Sequence, residues 1–154
     1  MKHLKISLAI ALLAAGLQLS AQTKPAPVKF KPPQLYTQLG GFRDSVTLSV
    51  ADAENIIGET LKIFDDKKGL YSISSYQFLY RKRGVTENEE TGKVTPITSM
   101  VSQRFTKTPL PKTWIEVIKQ DVKPGEELFF FDVIAKDALG RVMYAPNFKV
   151  LIRQ

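Results

Sequence analysis

The stretch PGEELFFFDVIAKDALGRVMYAP, from Pro124 to Pro146, decides the fold of this chain. Side chains alternate between the two faces of an extended strand. That alternation places Leu128, Phe130, Asp132 and Ile134 on one face, and Phe129, Phe131, Val133 and Ala135 on the other. Both faces are apolar apart from Asp132, which is typical of a strand inside a sheet. We therefore predict a central strand over this segment.

Turn residues flank this strand. Lys123-Pro124-Gly125 stops a preceding helix. Asp137 and Gly140 form the Asp-first, Gly-last pattern of a type I turn, and Pro146 ends the returning strand because proline cannot donate a ladder hydrogen bond. We predict structural roles in turns or in the hairpin for six residues: Pro124, Gly125, Asp132, Asp137, Gly140 and Pro146.

Asp132 has two interpretations. A carboxylate between Phe131 and Val133 can be an acid whose pKa is raised by apolar surroundings. Alternatively, it bonds a neighbouring backbone N–H group or pairs with a basic side chain across the sheet. The sequence places no second acid that would complete a catalytic pair, so we favour the structural interpretation.

Other segments with a period of two predict further strands. Residues 45–50 alternate Val46, Leu48 and Val50 with polar residues, and residues 70–81 form the strongest strand pattern of the chain. Residues 94–105 predict one or two strands, in which Pro96 marks an edge or a break. Residues 148–152 predict the final strand.

Two segments have helical spacing. Asp52 can cap a helix that extends to Phe64, although Gly58 weakens this pattern and a pair of short strands is the alternative. Residues 112–120 predict a short helix, with Trp114 and Ile118 on one face. Six or seven strands and one or two short helices predict a mainly β fold, which we interpret as an Ig-like antiparallel β-sandwich.

The N-terminus predicts export. Basic residues precede an apolar run from Ile6 to Leu17, and residues 1–21 have the order of a signal peptide cleaved between Ala21 and Gln22. The apolar run is shorter than the ~20 residues that a membrane-spanning helix needs, so no span is expected after cleavage. Residues 22–34 are rich in proline and lysine and predict an extended tether. A single folded domain is expected over residues 35–154.

Two absences exclude several kinds of site. The sequence contains no cysteine, and its one histidine, His3, lies in the predicted signal peptide. Disulfide scaffolds, cysteine nucleophiles, Ser-His-Asp triads and the common zinc sites are therefore excluded from the mature chain. Carboxylate pairs, Ser-Lys pairs and oxygen-ligated metals remain chemically open. The acid doublets lack the alternate spacing of calcium loops, so we predict no enzyme, no metal and no cofactor.

The densest basic cluster is Arg81-Lys82-Arg83, at the end of the strongest strand. It precedes a polar loop that contains Glu89 and Glu90, and we predict these five residues as a candidate surface for binding an acidic protein partner. The alternative is a charged strand end that discourages edge pairing. The formal net charge of +7 is spread along the chain and interrupted by acidic stretches, so no nucleic-acid partner is expected.

The order of features after Phe64 resembles the C-terminal periplasmic domain of the GldM/PorM family, the long-stalked component of the gliding-motility and type IX secretion machinery. An aromatic strand is followed by a short helix ending in Lys-Pro-Gly, a phenylalanine run with an acid behind it, a glycine turn, a proline and a final F-x-V-x-I strand. The matching residues are Phe78, Lys123, Pro124, Gly125, Phe130, Phe131, Asp132, Gly140, Pro146, Phe148 and Val150.

This resemblance implies a protein-binding β domain in the cell envelope and no enzyme. Family members also carry an N-terminal membrane helix and further periplasmic domains, so we expect this chain to correspond to the tip domain alone. We predict an exported, non-catalytic interaction module in the periplasm whose partners are envelope proteins, gliding or secretion components among them. The cell surface or the medium is the alternative location.

Two other functions stay open. A carbohydrate- or peptidoglycan-binding module would need a row of exposed aromatic side chains, for which Tyr71, Tyr76, Tyr80 and Trp114 are available. A hydrolase would need two carboxylates about 5–10 Å apart in a concave site.

Overall fold

The computed structural model describes residues 30–153 of the chain. The predicted signal peptide, the cleavage site at Ala21 and Gln22 and most of the predicted tether lie outside this range. Residues 30–34 have no regular secondary structure. A compact unit spans Pro32–Gln154.

Nine strands and two helices form this part of the chain. The strands are β1 (Leu35–Leu39), β2 (Phe42–Arg43), β3 (Ser45–Leu48), β4 (Lys62–Asp65), β5 (Leu70–Glu87), β6 (Val94–Phe105), β7 (Glu127–Lys136), β8 (Val142–Tyr144) and β9 (Phe148–Ile152). Helix α1 (Val50–Ile56) follows β3, and helix α2 (Lys112–Asp121) follows β6. The strands make one sheet in the order β2-β1-β4-β5-β7-β9-β3, in which β6 also pairs with β5 and β8 also pairs with β7.

The two ends of this sheet meet at Asp44. β2 and β3 occupy opposite ends of the strand order, yet only Asp44 separates them along the chain. Its N–H group donates to the carbonyl of Thr37 in β1, and its carbonyl accepts from the N–H group of Lys149 in β9. Asp44 adopts a φ of 64°, a left-handed conformation that Asp tolerates better than most residues. The sheet therefore curls until it is nearly closed into a barrel.

The mainly β fold with two short helices is confirmed. An Ig-like sandwich, as predicted from the sequence, would consist of two antiparallel sheets packed face to face. The described residues instead form a single mixed sheet, in which β3 runs parallel to β9 and all other pairs are antiparallel. The crossover from one sheet end to the other through Asp44 is the physical reason, because it joins strands that a sandwich would keep in separate layers.

The core lies on the inner face of the curled sheet. Large aromatic side chains fill it, and the most deeply buried are Tyr76, Phe78, Tyr80, Phe130 and Phe148. Phe78 and Phe130 lie on neighbouring strands, with ring centroids 4.9 Å apart. Burial of such side chains contributes roughly 1.5–3 kcal/mol each, so this aromatic layer contributes substantially to stability.

Both interpretations of residues 51–64 are partly right. Ser49, rather than Asp52, caps α1, and its hydroxyl accepts a hydrogen bond from the Asp52 N–H group. The helix ends at Ile56, before Gly58, which disfavours its continuation. The second half of the segment is strand β4, which pairs with β1 and β5.

The predicted faces of β7 are wrong beyond Phe131 because the strand contains a β-bulge. Phe131 pairs with Gln77 and Ile134 pairs with Ser75, so two residues of β7 oppose Tyr76 alone. Asp132 sits in this bulge with a φ of 48°. The extra residue turns Val133 and Ala135, rather than Ile134, towards the core behind Leu128 and Phe130. Asp132 is consequently exposed and does not lie in an apolar bed.

Candidate functional site

A two-stranded arm extends from the sheet. The last pair between β5 and β7 joins Arg81 to Glu127, whereas the pairing of β5 with β6 continues from Lys82 and Ser99 to Glu87 and Val94. At about 3.4 Å per residue, these pairs extend roughly 20 Å past Glu127, the first residue of β7. We refer to residues 82–100 as the arm, with Met100 at its root opposite Arg81.

The tip of the arm is a compact, hydrogen-bonded turn. The side-chain oxygen of Asn88 accepts from the N–H groups of Glu90 and Thr91, and the Gly92 N–H group donates to the Asn88 carbonyl. Glu89 and Glu90 are exposed at this tip. The arm therefore presents an acidic end held by its own backbone.

The arm and the adjoining part of β6 expose large apolar side chains. Val85, Val94, Ile97, Met100 and Val101 are between 46% and 67% exposed. Ile97 and Val101 lie on the face that continues from the core, and the other three lie on the opposite face. Exposed apolar side chains clustered on one strand pair are typical of surfaces that contact other proteins.

An apolar groove lies between the root of the arm and α2. It has a volume of about 260 Å³ and is lined by Tyr80, Lys82, Val101, Thr113, Trp114 and Val117. Trp114 packs edge-on against Phe78 and Phe105, and its Nε1 group donates to the side chain of Gln103. The groove has space for one or two apolar side chains of a partner.

The basic cluster is largely paired within the domain. Arg81 contacts Glu127 at 3.2 Å, and Lys82 contacts Asp121 at 2.7 Å. The hydrogen bond and charge of Lys82 lower the pKa of Asp121. Two of the three predicted cations are therefore compensated by neighbouring elements.

Arg83 is the member of the cluster that faces outward. Together with Lys123 it lines a shallow cleft beside Gly84 and Val85. Its guanidinium lies so close to Gly125 that a Cβ atom at that position would come within 2.9 Å of Nη1. Positive charge at the root of the arm thus comes mainly from Arg83 and Lys123.

Sequence reasoning missed Glu126, the buried carboxylate of the domain. Lys123 to Glu126 form a type II turn, with Pro124 second and Gly125 third at a φ of 84°. The carboxylate of Glu126 accepts from the N–H groups of Arg83 and Lys123 and from the Tyr80 hydroxyl. Glu126 therefore joins the root of the arm to the turn after α2. Its neighbour Glu127 has the same side chain and is half-buried, so the sequence held no signal that separated them.

The other predicted turn residues lie at the second hairpin. The Gly140 N–H group donates to the Asp137 carbonyl, and the Asp137 carboxylate contacts Arg141 at 2.6 Å. Desolvation raises the pKa of Asp137, but its hydrogen bonds from Arg141 and Leu139 outweigh this and lower it. The Pro146 carbonyl accepts from the hydroxyl of the buried Thr37.

Within residues 30–153, no group of three or more acidic side chains, cysteines or histidines is placed to hold a metal ion. No helix in this range is long and apolar enough to cross a membrane. No protein-family model matches the chain, and no curated protein is significantly similar to it.

Proposed function

We propose that this chain is an exported, non-catalytic interaction module that binds another protein of the cell envelope through the arm. The observation that carries this proposal is the projection of the arm past β7 with apolar side chains exposed on both faces. The resemblance to the tip domain of the gliding and type IX secretion stalk protein supports a place in that machinery.

The energetics of the arm favour binding over a structural role. Val85 and Met100 are exposed to water and therefore add little to the stability of the sheet. If a partner buried them, each side chain would contribute roughly 1.5–3 kcal/mol. The two strands of the arm are joined by a continuous ladder, so less conformational entropy is lost when a partner covers it than for an unpaired loop. An apolar projection of this kind is suited to packing against a complementary surface.

The charges at the root of the arm define the partner further. Arg83 and Lys123 line an open cleft next to the apolar side chain of Val85. A partner that fits this surface carries a carboxylate beside an apolar patch, since a rim charge of opposite sign speeds association and fixes orientation.

A sugar-binding function receives less support. Tyr76 and Tyr80 are fully buried, and the ring of Trp114 is packed edge-on in the core of the α2 contact. A stacking platform for sugars needs flat aromatic faces in water. The row of exposed aromatic side chains that a sugar-binding function would need is not formed by these three residues.

Cross-linking in cells of the source organism, followed by capture of the tagged mature chain, tests the proposal. The variant Val85→Ser with Met100→Ser is expected to lose most of the captured envelope partner. Leu139→Ser with Val142→Ser removes two similarly exposed apolar side chains far from the arm and is the matched control. Equal capture by both double variants would contradict the proposal.

Charge reversal is best confined to Arg83. Reversal at Arg81 or Lys82 would break ion pairs inside the domain and confuse folding with binding. We expect Arg83→Glu to reduce capture of the partner with little change in thermal stability. Arg83→Lys should retain capture, because it keeps the positive charge.

A further inference from the structure

We propose that a second copy of this chain pairs with the open edge of β6, antiparallel, about a two-fold axis at Val101. Among the described residues β6 pairs only with β5, so its other edge is free. This inference goes beyond the proposed function, because it assigns the backbone edge of the strand and not the side chains of the arm.

The orientation of Pro96 shows which backbone groups are available. Proline has no N–H group to donate to β5, so the nitrogen of Pro96 faces the open edge. Because this orientation alternates along an antiparallel ladder, the N–H groups of Thr98, Met100, Ser102 and Arg104 also face outward. The Arg83 N–H group supports this assignment: it donates to Glu126 instead of to Thr98, its partner on β6.

These four donors select one register. Pairing Thr98 with Arg104 of the second copy and Met100 with Ser102 of the second copy uses all four N–H groups and avoids Pro96. A two-fold axis then passes through Val101, opposite its own copy. Shifting the axis to Met100 would place Pro96 opposite Arg104 and lose a hydrogen bond at each end.

The charges on the two ends of β6 favour a copy of the same chain in the antiparallel orientation. The tip beside Val94 carries Glu87, Glu89 and Glu90, with Lys93 as the one cation. The other end carries Arg104 and is followed by Lys107 and Lys112, with Glu116 one turn along α2. Antiparallel pairing brings each acidic tip next to the basic end of the second copy, whereas parallel pairing would bring like charges together.

The edge also has little of the usual protection against pairing. Open edges in soluble proteins are commonly blocked by charged side chains, prolines, bulges or very short strands. Pro96 is the one such residue from Val94 to Gln103, and the proposed register leaves it outside the four donor residues. β6 has no charged residue from Val94 to Gln103, and its ladder with β5 is continuous. Val101 is about half exposed beside the apolar groove, so a second copy would cover both.

Single-cysteine cross-linking of the mature chain tests the register, since the wild-type sequence has no cysteine. In the proposed dimer, position 101 faces its copy in a non-hydrogen-bonded pair with a Cα separation of about 4.5 Å, within the range for a disulfide. With oxidised glutathione as the oxidant, we expect Val101→Cys to give at least about tenfold more covalent dimer than Ser99→Cys, whose two copies lie roughly 14 Å apart. Equal yields at both positions would overturn the register.

A charge swap tests the choice of partner. Glu89→Lys with Glu90→Lys, and separately Lys107→Glu with Lys112→Glu, should each sediment as monomers. An equimolar mixture should recover the dimer, because both contacts are then complementary again. A mixture that stays monomeric would overturn the inference.

Sedimentation also separates this inference from the proposed function. If wild-type chain is monomeric at every concentration while capture of the envelope partner still depends on Val85 and Met100, the dimer is excluded and the proposed function stands. If the charge swap restores the dimer while capture is independent of the arm, the dimer stands and the proposed function fails.

Discussion

The Tyr80 hydroxyl lies 2.6 Å from a carboxylate oxygen of Glu126, and both side chains are almost completely buried. Two backbone N–H groups, from Arg83 and Lys123, complete the surroundings of that carboxylate. An acid buried in this way is satisfied only when all three donors are present, so it holds the root of the arm at one fixed angle to the turn after α2.

Replacement of Glu126 is expected to destabilise the domain. In Glu126→Gln an NH₂ group replaces one of the two carboxylate oxygens, so at least one of the three donors loses its acceptor. Leaving a buried donor unpaired costs about 1–3 kcal/mol. Urea unfolding measures this loss. Glu127→Gln is the matched control, because it removes only partly exposed ion pairs worth roughly 0–1 kcal/mol. Equal midpoints for the two variants would show that Glu126 does not join these elements.

Alkaline pH is expected to unfold the domain through its buried tyrosines. Burial raises the pKa of Tyr76 to about 12, and burial with the Glu126 hydrogen bond raises that of Tyr80. Both stay protonated in the folded state above pH ~10, where unfolded tyrosine ionises, so their contribution is complete below this pH and is lost as the pH rises towards the folded values.

The variant Tyr76→Phe isolates this contribution. Between pH 10 and 11 the wild-type chain should lose about 1 kcal/mol more stability than the variant, because unfolded tyrosine is already half ionised at pH 10 while folded Tyr76 is not. Urea unfolding at pH 8, 10 and 11 measures the difference, and parallel pH profiles for the two proteins would contradict it.

The bulge at Asp132 gives a third prediction. A left-handed conformation costs a β-branched residue about 1–2 kcal/mol and costs glycine nothing. Asp132→Val should therefore lower the thermal midpoint, whereas Asp132→Gly should keep or raise it. Were Asp132 a functional acid, Asp132→Gly would instead abolish partner capture at unchanged stability.

Gly40 and Gly41 form a matched pair for a fourth prediction. Both have positive φ, but a Cβ atom at Gly40 would lie 2.7 Å from the side chain of Ile56, whereas none of the surrounding atoms is within 4 Å at Gly41. Gly41→Ala should cost about 1–2 kcal/mol for its backbone conformation alone. Gly40→Ala should cost clearly more in urea unfolding, because β1 must also separate from α1. Similar losses would mean that the two elements are loosely packed.

Strands with uninterrupted alternation could be predicted from the sequence. Residues 70–81 and 148–152 are strands, and residues 112–120 are helical, because local periodicity and flanking turn residues agree there. The bulge at Asp132 could not be predicted, because no local pattern shows that β7 has one residue more than β5 at this point. That one residue moves every following side chain to the other face of the strand.

The candidate site was visible only in part. The basic cluster and the acidic tip were apparent, but the ion partners of Arg81 and Lys82 come from β7 and α2, distant in sequence. The arm could not be predicted for a related reason. Its length depends on how far β5 and β6 pair beyond Glu127, the first residue of β7, and no local sequence pattern indicates that distance.

The junction at Asp44 ties the order of folding to the direction of synthesis. The N-terminal strand pair cannot be sealed to the rest until Lys149 and the final strand are present, because β9 supplies the other half of the junction. Contacts between such distant parts of a chain form slowly. Under the proposed export, β1 to β3 would still be open while the chain crosses its membrane, and the domain would be complete only after β9 had emerged.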